Sequence, residues 1–478
     1  MREVELAGRV LDEVRAVAGR RAEAEVLVES STLALTRFAR SYIHQNVADT
    51  GTVVRLRLHL DGRTATGSTT LTIGEALHDL VERTRAASLL CPPDTGWPGL
   101  APPAERTGFG TVDEATANAS PADRAAAVRD FVDAAAGLET AGYCRTLSTV
   151  AAFANSEGQF THGASTGAAM DGIARTGTSD GVARRSGLRL ADLRGGELGA
   201  VAATKARAGA APVELAPGRY EVVLEPSAAR DVLEHLGTYG FNGRACQEKR
   251  SFLRPGEAQF DPAVTIVDDP LGAGAGTSAG AGVSGSSRAA TYALPFDVEG
   301  TPKRRREFVV RGVSQGPAHD RRTAAAAGTE STGHAWSESE RLGPTPLHLR
   351  LEPGEGEDGE TGETDGLPVA DGSVAALVAG VSRGLLVTDF WYTRVLDPRT
   401  VVMTGLTRNG VWLIEDGEIT TPVRNLRFTQ SYPQAMAPGA VLGVGSAALA
   451  VPYEWGTDSA VTPALRLAAW NFTGGASG

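Results

Sequence analysis

The residues whose types and spacing could do chemistry lie in one stretch, residues 212–253. It contains Glu234, His235 and Tyr239, which place a carboxylate, an imidazole and a phenol within two helical turns. Carboxylate and imidazole serve as general acids and bases, and both are zinc ligands. A hydrolytic zinc needs about three protein ligands and one open position for water. A lone histidine near a helix end is, however, more commonly solvated or hydrogen-bonded than catalytic.

A strand and a helix must position these side chains. Residues 219–224 are β-rich and follow the turn pair Pro217-Gly218, which predicts a strand. Pro226 suits the first turn of a helix, where its missing N–H costs nothing. After it, apolar residues recur with the spacing of a helix that buries one face, namely Ala229, Val232, Leu233 and Leu236.

Glycines follow this helix and are expected to end it. A helix that ends in glycines leaves carbonyl groups and loop amides open for a ligand, although glycine is also the ordinary helix terminator. The candidate substrate-binding residues here are Gly237, Gly240, Asn242 and Gly243.

Two further histidines lie in segments rich in Gly, Ala, Ser and Thr. His319 precedes Asp320, and His334 lies in the segment 331–336. Two histidines and an aspartate could suggest a metal or acid–base site, but neither pair has helical ligand spacing. Loop histidines with ordinary hydrogen bonds are the simpler interpretation. His319 and His334 are therefore candidates for binding a peptide rather than for cleaving it.

Composition bounds the size and the partners of the chain. Its 478 residues suffice for two or three domains with substantial cores. Lys and Arg number 46 against 57 Asp and Glu, so the net charge is -11. Phosphate contacts need a clustered basic surface, and the one basic run, residues 303–306, is flanked by Glu299 and Glu307. Nucleic acid is not an expected partner.

The cysteines and the apolar runs indicate the compartment. Cys91, Cys144 and Cys246 are scattered and odd in number, which argues against a disulfide framework and a cysteine zinc site. The first residues lack the apolar core of a signal peptide, and no segment approaches the length of a membrane span. We therefore expect a cytoplasmic protein with no membrane partner.

The first 210 residues predict an N-terminal domain that mixes helices with an antiparallel sheet. Helices are predicted over residues 5–18, 73–90, 121–136 and 195–208, and strands over 24–29, 33–38, 42–47, 53–60, 64–70 and within 143–174. Hairpin turns are predicted at Asp61-Gly62 and at residues 155–158.

Residues 211–478 predict a second domain, mainly antiparallel β with one central helix. A strand that ends in a turn is predicted within 263–270. Further strands are predicted over 384–393, 401–407, 410–415 and 418–423, with turns at Asn409-Gly410 and Asp416-Gly417 and a hairpin through Gly312. Two tracts of low apolar content, near 271–288 and 351–367, predict flexible loops. The first could be a lid or a tolerated insertion. The fold class is therefore α+β.

Several segments resemble one protein family. They are residues 212–253, the hairpin 51–67, Phe153-Ala154-Asn155-Ser156-Glu157-Gly158 with Ser165-Thr166, Pro295-Phe296-Asp297-Val298-Glu299-Gly300, Arg383-Gly384-Leu385-Leu386-Val387-Thr388 and 413–425. Taken in the order in which they occur along the chain, they resemble the TldD/TldE (PmbA) family of metallopeptidase-related proteins, and specifically its TldE-like branch. Each short motif is weak by itself, but the set spans nearly the whole chain.

The resemblance implies that this chain holds no metal and has no catalytic residue. The TldD-like subunits of the family carry a His-Glu-x-x-x-His helix where this chain has Glu234-His235-Leu236-Gly237-Thr238-Tyr239. Glu234 and Tyr239 then stand at the two ligand positions, and His235 stands at the general base. The family's metal site also uses a cysteine near the C-terminus, and here no cysteine follows Cys246.

The resemblance also implies a role. The chain would be the non-catalytic subunit of a cytoplasmic heterodimeric zinc metalloprotease complex, with zinc bound by its TldD-like partner. Unstructured peptide would enter the shared interior as an added strand. Leader-peptide trimming and proteolysis of small labile proteins are the implied activities.

Two alternatives remain open at this point. The chain could be a peptidase in its own right, with a rearranged site that uses Glu234, His235, Tyr239 or His319. It could also be a homo-oligomeric scaffold that binds peptides without a proteolytic partner. A homodimer is also expected when the partner is missing, since a surface that pairs with a homologous chain suits two-fold self-association. We expect the isolated chain to be inactive.

Overall fold

The computed structural model describes residues 2–105, 109–272, 292–354, 366–454 and 456–475. Within these residues the chain forms a six-stranded antiparallel sheet from residues 23–187 and an eleven-stranded mixed sheet from residues 218–475. The predicted α+β class, with an antiparallel first sheet and a mainly β second part around a helix, is confirmed. The two loops predicted near 271–288 and 351–367 fall largely outside the described residues.

The first sheet has the strand order β3-β2-β1-β4-β5-β6. Its strands are β1 (Glu23–Ala39), β2 (Tyr42–Leu60), β3 (Arg63–Thr69), β4 (Glu139–Asn155), β5 (Phe160–Arg175) and β6 (Asp180–Gly187). Helices α1 (Arg2–Val17), α2 (Gly74–Leu90), α4 (Pro121–Ala134) and α5 (Gly195–Ala208) pack on it, and the short α3 (Glu114–Ala117) lies beside β4. The apolar faces of these helices provide the core of this part of the chain.

The first hairpin corrects one expectation. The predicted strands 24–29 and 33–38 are one strand, β1, and 42–47 and 53–60 are one strand, β2. The two strands stay paired where a break was predicted, and hydrogen bonds between hydroxyl groups join them there. Ser30 Oγ lies 2.9 Å from Thr52 Oγ1, and Thr32 Oγ1 lies 3.1 Å from Thr50 Oγ1. The chain reverses instead at residues 40–41, both of which have positive φ.

A buried ion cluster ties the first sheet to a loop of the second part. Arg57 Nη1 on β2 lies 3.0 Å from Glu25 Oε1 on β1 and 3.0 Å from Glu299 Oε1. All three side chains are nearly inaccessible to water. Burial raises the pKa of Glu25 to about 7, although Arg57 opposes the shift, and burial also raises the pKa of Glu299.

This cluster predicts a pH dependence of stability. Because the pKa of Glu25 is higher in the folded chain than in the unfolded chain, the folded state binds more protons between about pH 4.5 and about pH 7. The free energy of unfolding should therefore fall as pH rises through this window, by at most about 1.4 kcal/mol per pH unit for one group. Urea denaturation at a series of pH values measures it. Glu25→Gln should flatten the dependence, whereas Glu29→Gln on the same strand should not; equal profiles for both variants would contradict the assignment.

The second sheet has the main path β10-β9-β8-β11-β17-β15-β13-β12-β7. Its strands are β7 (Gly218–Leu224), β8 (Ile266–Asp268), β9 (Arg306–Val310), β10 (Val313–Ser314), β11 (Leu349–Leu351), β12 (Arg383–Asp397), β13 (Val402–Glu415), β14 (Glu418–Pro422), β15 (Leu426–Ser431), β16 (Val441–Pro452) and β17 (Ser459–Gly475). The strands β14 and β16 pair with β13 and β17, and β17 also pairs with β7.

The helices of the second part are short. They are α6 (Pro226–His235), α7 (Gly243–Gln247), α8 (Arg321–Ala327), α9 (Ser339–Leu342), α10 (Gly372–Ala379) and α11 (Tyr432–Ala435). In the part of the chain that the structure describes, every helix is too short or too polar to cross a lipid bilayer.

A bulge replaces one predicted turn. The prediction that Asn409-Gly410 joins two strands is wrong, because β13 runs unbroken through both residues. Both have positive φ, and the register of β12 against β13 shifts between Val387 and Asp389. A Cβ at Gly410 would lie 2.2 Å from the Trp412 ring, so the site requires glycine. The predicted turn at Asp416-Gly417 is confirmed between β13 and β14.

Candidate functional site

The strand β7 and the helix α6 position the candidate site within the second sheet. The strand pairs with β12 in parallel and with β17 in antiparallel orientation, so both of its edges are hydrogen-bonded. The chain then turns at Glu225, and Pro226 begins the helix. The predicted apolar face, formed by Ala229, Val232, Leu233 and Leu236, is buried in the core, and α6 packs against β12 and β17.

The helix ends in a π-helical turn, residues 236–240. Such turns are often found at functional sites. The Phe241 amide donates to the Leu236 carbonyl at 2.9 Å, which closes the wider turn. Asn242 then caps α7: its Oδ1 accepts the Ala245 amide at 3.1 Å, and its Nδ2 donates to the Leu342 carbonyl at 2.8 Å. The cap uses both ends of the Asn242 side chain.

The glycines after the helix lie at close approaches. A Cβ at Gly237 would lie 2.8 Å from Leu349, and one at Gly240 would lie 2.4 Å from Phe252. At Gly243 it would lie 2.5 Å from the Ala318 carbonyl oxygen. Gly237, Gly240 and Gly243 are buried, so the structure gives all three a packing role, and their substrate-binding role stays a prediction.

Gly243→Ala should therefore lower the free energy of unfolding by about 1 to 3 kcal/mol, the usual cost of overpacking a core. The contact is with a backbone oxygen, which cannot swing aside as a side chain could. Thermal or urea denaturation measures the change. Gly177→Ala is the matched control, because a Cβ there meets no atom within 4 Å. Equal stability of the two variants would refute the close approach.

Glu234 and His235 are engaged by neighbours one turn earlier in the helix. Glu234 Oε2 accepts a hydrogen bond from Nη1 of the buried Arg230 at 2.9 Å. His235 Nδ1 donates to the backbone carbonyl of Asp231 at 2.8 Å, which places the ring proton on Nδ1. The carboxylate is thus neutralised by a guanidinium, and the imidazole is fixed to the helix.

Tyr239 lies over this pair as a neutral phenol. Its ring stacks on His235 with 6.1 Å between centroids. Burial and, after it, the nearby Glu234 carboxylate raise the pKa of Tyr239, so the hydroxyl keeps its proton near neutral pH. A second tyrosine, Tyr432, packs edge-on against His235 and donates to Asp231 Oδ2 at 2.5 Å. The surroundings of the three candidate residues are therefore aromatic and hydrogen-bonded.

A chain of charged side chains, buried except for the partly exposed Asp171, extends from this helix to the first sheet. Arg184 on β6 places Nε 2.7 Å from Asp171 Oδ2 on β5 and Nη1 2.5 Å from Asp389 Oδ2 on β12. Asp389 Oδ1 lies 3.9 Å from Arg230 Nη2, and the Asn409 amide at the bulge lies 3.4 Å from Asp389 Oδ2. Two arginines and two aspartates thus join both sheets to the helix that carries Glu234.

Sequence reasoning missed this network. The i, i+4 spacing of Arg230 and Glu234 on one helix was a readable signal. A second readable signal was the aspartate inside the apolar run 385–390, because a charged residue in a buried strand needs a partner. Asp389 is indeed completely buried. The partnership of Arg184 with Asp389 joins residues far apart in the chain, and no local pattern predicts it.

His319 and His334 form a separate cluster near the first residue of α7. The Thr332 hydroxyl accepts the His319 amide at 2.8 Å and lies 2.8 Å from His334 Nδ1. His334 Nε2 lies 3.4 Å from Asp268 Oδ2. Burial lowers the pKa of His319, whose ring borders Gly243. The structure thus brings Gly243, His319 and His334 together and leaves Glu234, His235 and Tyr239 in another cluster.

The potential metal-binding side chains are dispersed. Among the described residues, no group of three or more His, Cys, Asp or Glu side chains is arranged to hold a metal ion. The thiols of Cys91, Cys144 and Cys246 are free and lie apart from one another in the fold.

Residues 217–474 match the family model of the PmbA/TldA metallopeptidase C-terminal domain. The chain belongs to the TldD/TldE (PmbA) family. A comparison with curated proteins finds no match for this sequence. The resemblance inferred from the motifs is therefore confirmed at the level of the family.

Solved structures are similar in fold over nearly the full length of the chain. TldE from Thermococcus kodakarensis superposes with a TM-score of 0.81 at 17% identity, covering 98% of this chain and 100% of the other. A Thermotoga maritima protein described as a candidate modulator of a DNA gyrase gives 0.77 at 18%, covering 98% and 100%. A Bacteroides thetaiotaomicron protein with a similar description gives 0.77 at 20%, covering 98% of each. At these identities the likeness concerns the fold.

Proposed function

We propose that this chain is the metal-free, non-catalytic TldE-like subunit of a zinc metalloprotease complex that acts on unstructured peptides. The observation that carries the proposal is the ion pair between Glu234 and Arg230. Glu234 stands where the family motif has a metal ligand, and here the neighbouring positive charge is a buried guanidinium of the same chain. A cation bound at Glu234 would have to displace it against charge repulsion.

The other two motif positions support the same role. His235 stands where the motif has its carboxylate base, and its Nδ1 proton is committed to a backbone carbonyl. Tyr239 stands at the second ligand position, and its raised pKa keeps it protonated. A zinc ligand must be deprotonated or offer a lone pair, which a neutral phenol does poorly. Water activation therefore falls to a TldD-like partner that has the full motif and binds zinc.

A free strand edge supports association with another chain. The strand β2 pairs with β1 along its length, but β3 covers only residues 54–60. Within the described residues, 42–53 have no strand partner on that side, and Tyr42 and Val47 there are exposed. An open edge of this length offers backbone N–H and C=O groups to an added strand.

The test is co-expression of the tagged chain with the TldD-like chain of the same cell. We expect a stable heterodimer on size-exclusion chromatography and cleavage of an unstructured peptide by the heterodimer but not by the tagged chain. A partner with its motif glutamate changed to alanine should still co-purify and should lack cleavage. His235→Ala in the tagged chain should leave cleavage by the heterodimer unchanged. Cleavage by the tagged chain alone, abolished by His235→Ala, would establish instead the self-standing peptidase.

A further inference from the structure

A broad groove lies between the proline-rich segment of the N-terminal part and the loops around α8. Its volume is about 1000 Å³, at the upper end for ligand pockets. We call it the arginine groove. It is lined by Pro98, Ala101 and Pro102 on one side and by Arg304, Arg305, Arg306, Arg321 and Glu330 on the other.

The charge of the arginine groove opposes that of the whole chain. Four arginines and a single acidic residue line it, whereas the chain as a whole carries a net charge of -11. Arg321 binds the backbone carbonyls of Gly99 and Leu100, so it holds the two walls together. The remaining three arginines are consecutive at the entry to β9.

The guanidinium groups of these three arginines differ in whether they already form ion pairs. Arg305 holds two carboxylates of this chain, Glu352 at 2.8 Å and Asp269 at 3.4 Å. Arg304 is exposed and forms no ion pair within the described residues. Arg306 has a buried Nε without a hydrogen-bond partner in the same residues, and it also lines an adjoining pocket of about 510 Å³. Two guanidinium groups are thus available to an incoming anion.

We propose that the arginine groove binds an acidic, extended segment of a peptide through Arg304 and Arg306. Carboxylates are the anions that Arg305 already binds here, one oxygen of Asp269 and one of Glu352. The proline and alanine wall suits the apolar parts of an extended chain. A long polyanion is disfavoured, since Glu299, Glu307 and Glu352 flank the arginines and the chain is acidic overall.

This inference rests on the proposed function and adds a substrate class to it. Peptides with an acidic segment outside the cleaved region would be retained by the non-catalytic subunit while the partner cleaves them. The groove would then act as a selectivity element, because strand pairing alone accepts any sequence.

Fluorescence anisotropy with the full chain tests the inference. The probes are two labelled peptides of equal length, one of alternating Glu and Ala and one of alternating Gln and Ala. The acidic peptide should bind about tenfold more tightly, since each of the two charge pairs contributes about threefold and at most about fivefold. Arg304→Gln combined with Arg306→Gln should remove the difference. Arg427→Gln, an exposed arginine outside the groove, should keep it.

Equal binding of the two peptides, or wild-type affinity of the double variant, would overturn the proposal. Arg304→Gln alone changes an exposed side chain and should lower the affinity for the acidic peptide about threefold. This single variant tests the proposal if the double variant does not fold. Inorganic polyphosphate that binds the groove more tightly than the acidic peptide would replace the peptide with a phosphate ligand. A wild-type chain that shows no acidic preference but still forms the heterodimer and supports cleavage refutes this inference alone, whereas absence of the heterodimer refutes the proposed function.

Discussion

Lys205→Met should lower the free energy of unfolding by about 3 to 5 kcal/mol, the cost of leaving a buried charge without its partner. Lys205 Nζ on α5 lies 2.5 Å from Glu225 Oε2, and both side chains are almost completely buried. Glu225 immediately precedes α6, and its other oxygen accepts the Ala370 amide at 2.6 Å. The ion pair therefore fixes the beginning of the helix that carries the candidate site.

Urea denaturation followed by tryptophan fluorescence measures the change. The matched control is Lys205→Met combined with Glu225→Gln, which removes both charges and keeps an oxygen for the Ala370 amide. This double variant should recover most of the lost stability, because replacing a whole buried pair is often nearly neutral. If the double variant is as unstable as the single variant, packing around Lys205 and not the unpaired carboxylate carries the effect.

Arg184→Met should have an effect of similar size, about 3 to 5 kcal/mol, and should also loosen the contact between the two sheets. The substitution removes the guanidinium group that pairs with Asp171, and it also removes the shorter of the two arginine contacts of Asp389. Asp389 is completely inaccessible to water. Limited proteolysis should then cut between the first and second sheets at lower denaturant concentration than in the wild type.

Arg175→Met is the control for Arg184→Met. Arg175 lies on the adjacent strand β5 and pairs with Asp180, but half of its side chain is exposed. An exposed pair contributes about 0 to 1 kcal/mol, so this variant should remain close to the wild type. Comparable losses in the two variants would show that the Arg184 network does not bind the sheets together.

The fold was largely readable from local pattern. The bounds predicted for α1, α2, α4 and α5 agree with the structure to within about three residues, and apolar spacing is the signal for α1, which buries a single face. Strand continuity was harder, since Ser30 and Thr32 look like loop residues until the hydroxyl groups opposite them are known. The Asn409-Gly410 pair is a hairpin signal in sequence because both residue types tolerate a positive φ. The β-bulge here uses a positive φ as well, and the sequence does not distinguish the two.

The candidate site was readable only in part. The sequence placed Glu234, His235 and Tyr239 at the end of one helix, and in the structure Tyr239 stacks on His235 and is near enough to Glu234 for that carboxylate to raise the Tyr239 pKa. Their chemical state depends on partners that sequence reasoning did not assign, above all Arg230 and Tyr432. The second of these contacts joins residues nearly two hundred positions apart, and tertiary structure alone sets it.

This chain should not hold the hydrolytic metal, because Arg230 already pairs with Glu234. The most direct test is the zinc content of the purified chain after incubation with excess zinc, measured by mass spectrometry together with peptidase activity. The TldD-like partner, purified in the same way, is the positive control. We predict substoichiometric zinc and no cleavage by this chain alone, and chelator-sensitive cleavage once the partner is added. Stoichiometric zinc in this chain, with chelator-sensitive cleavage in the absence of the partner, would contradict the account.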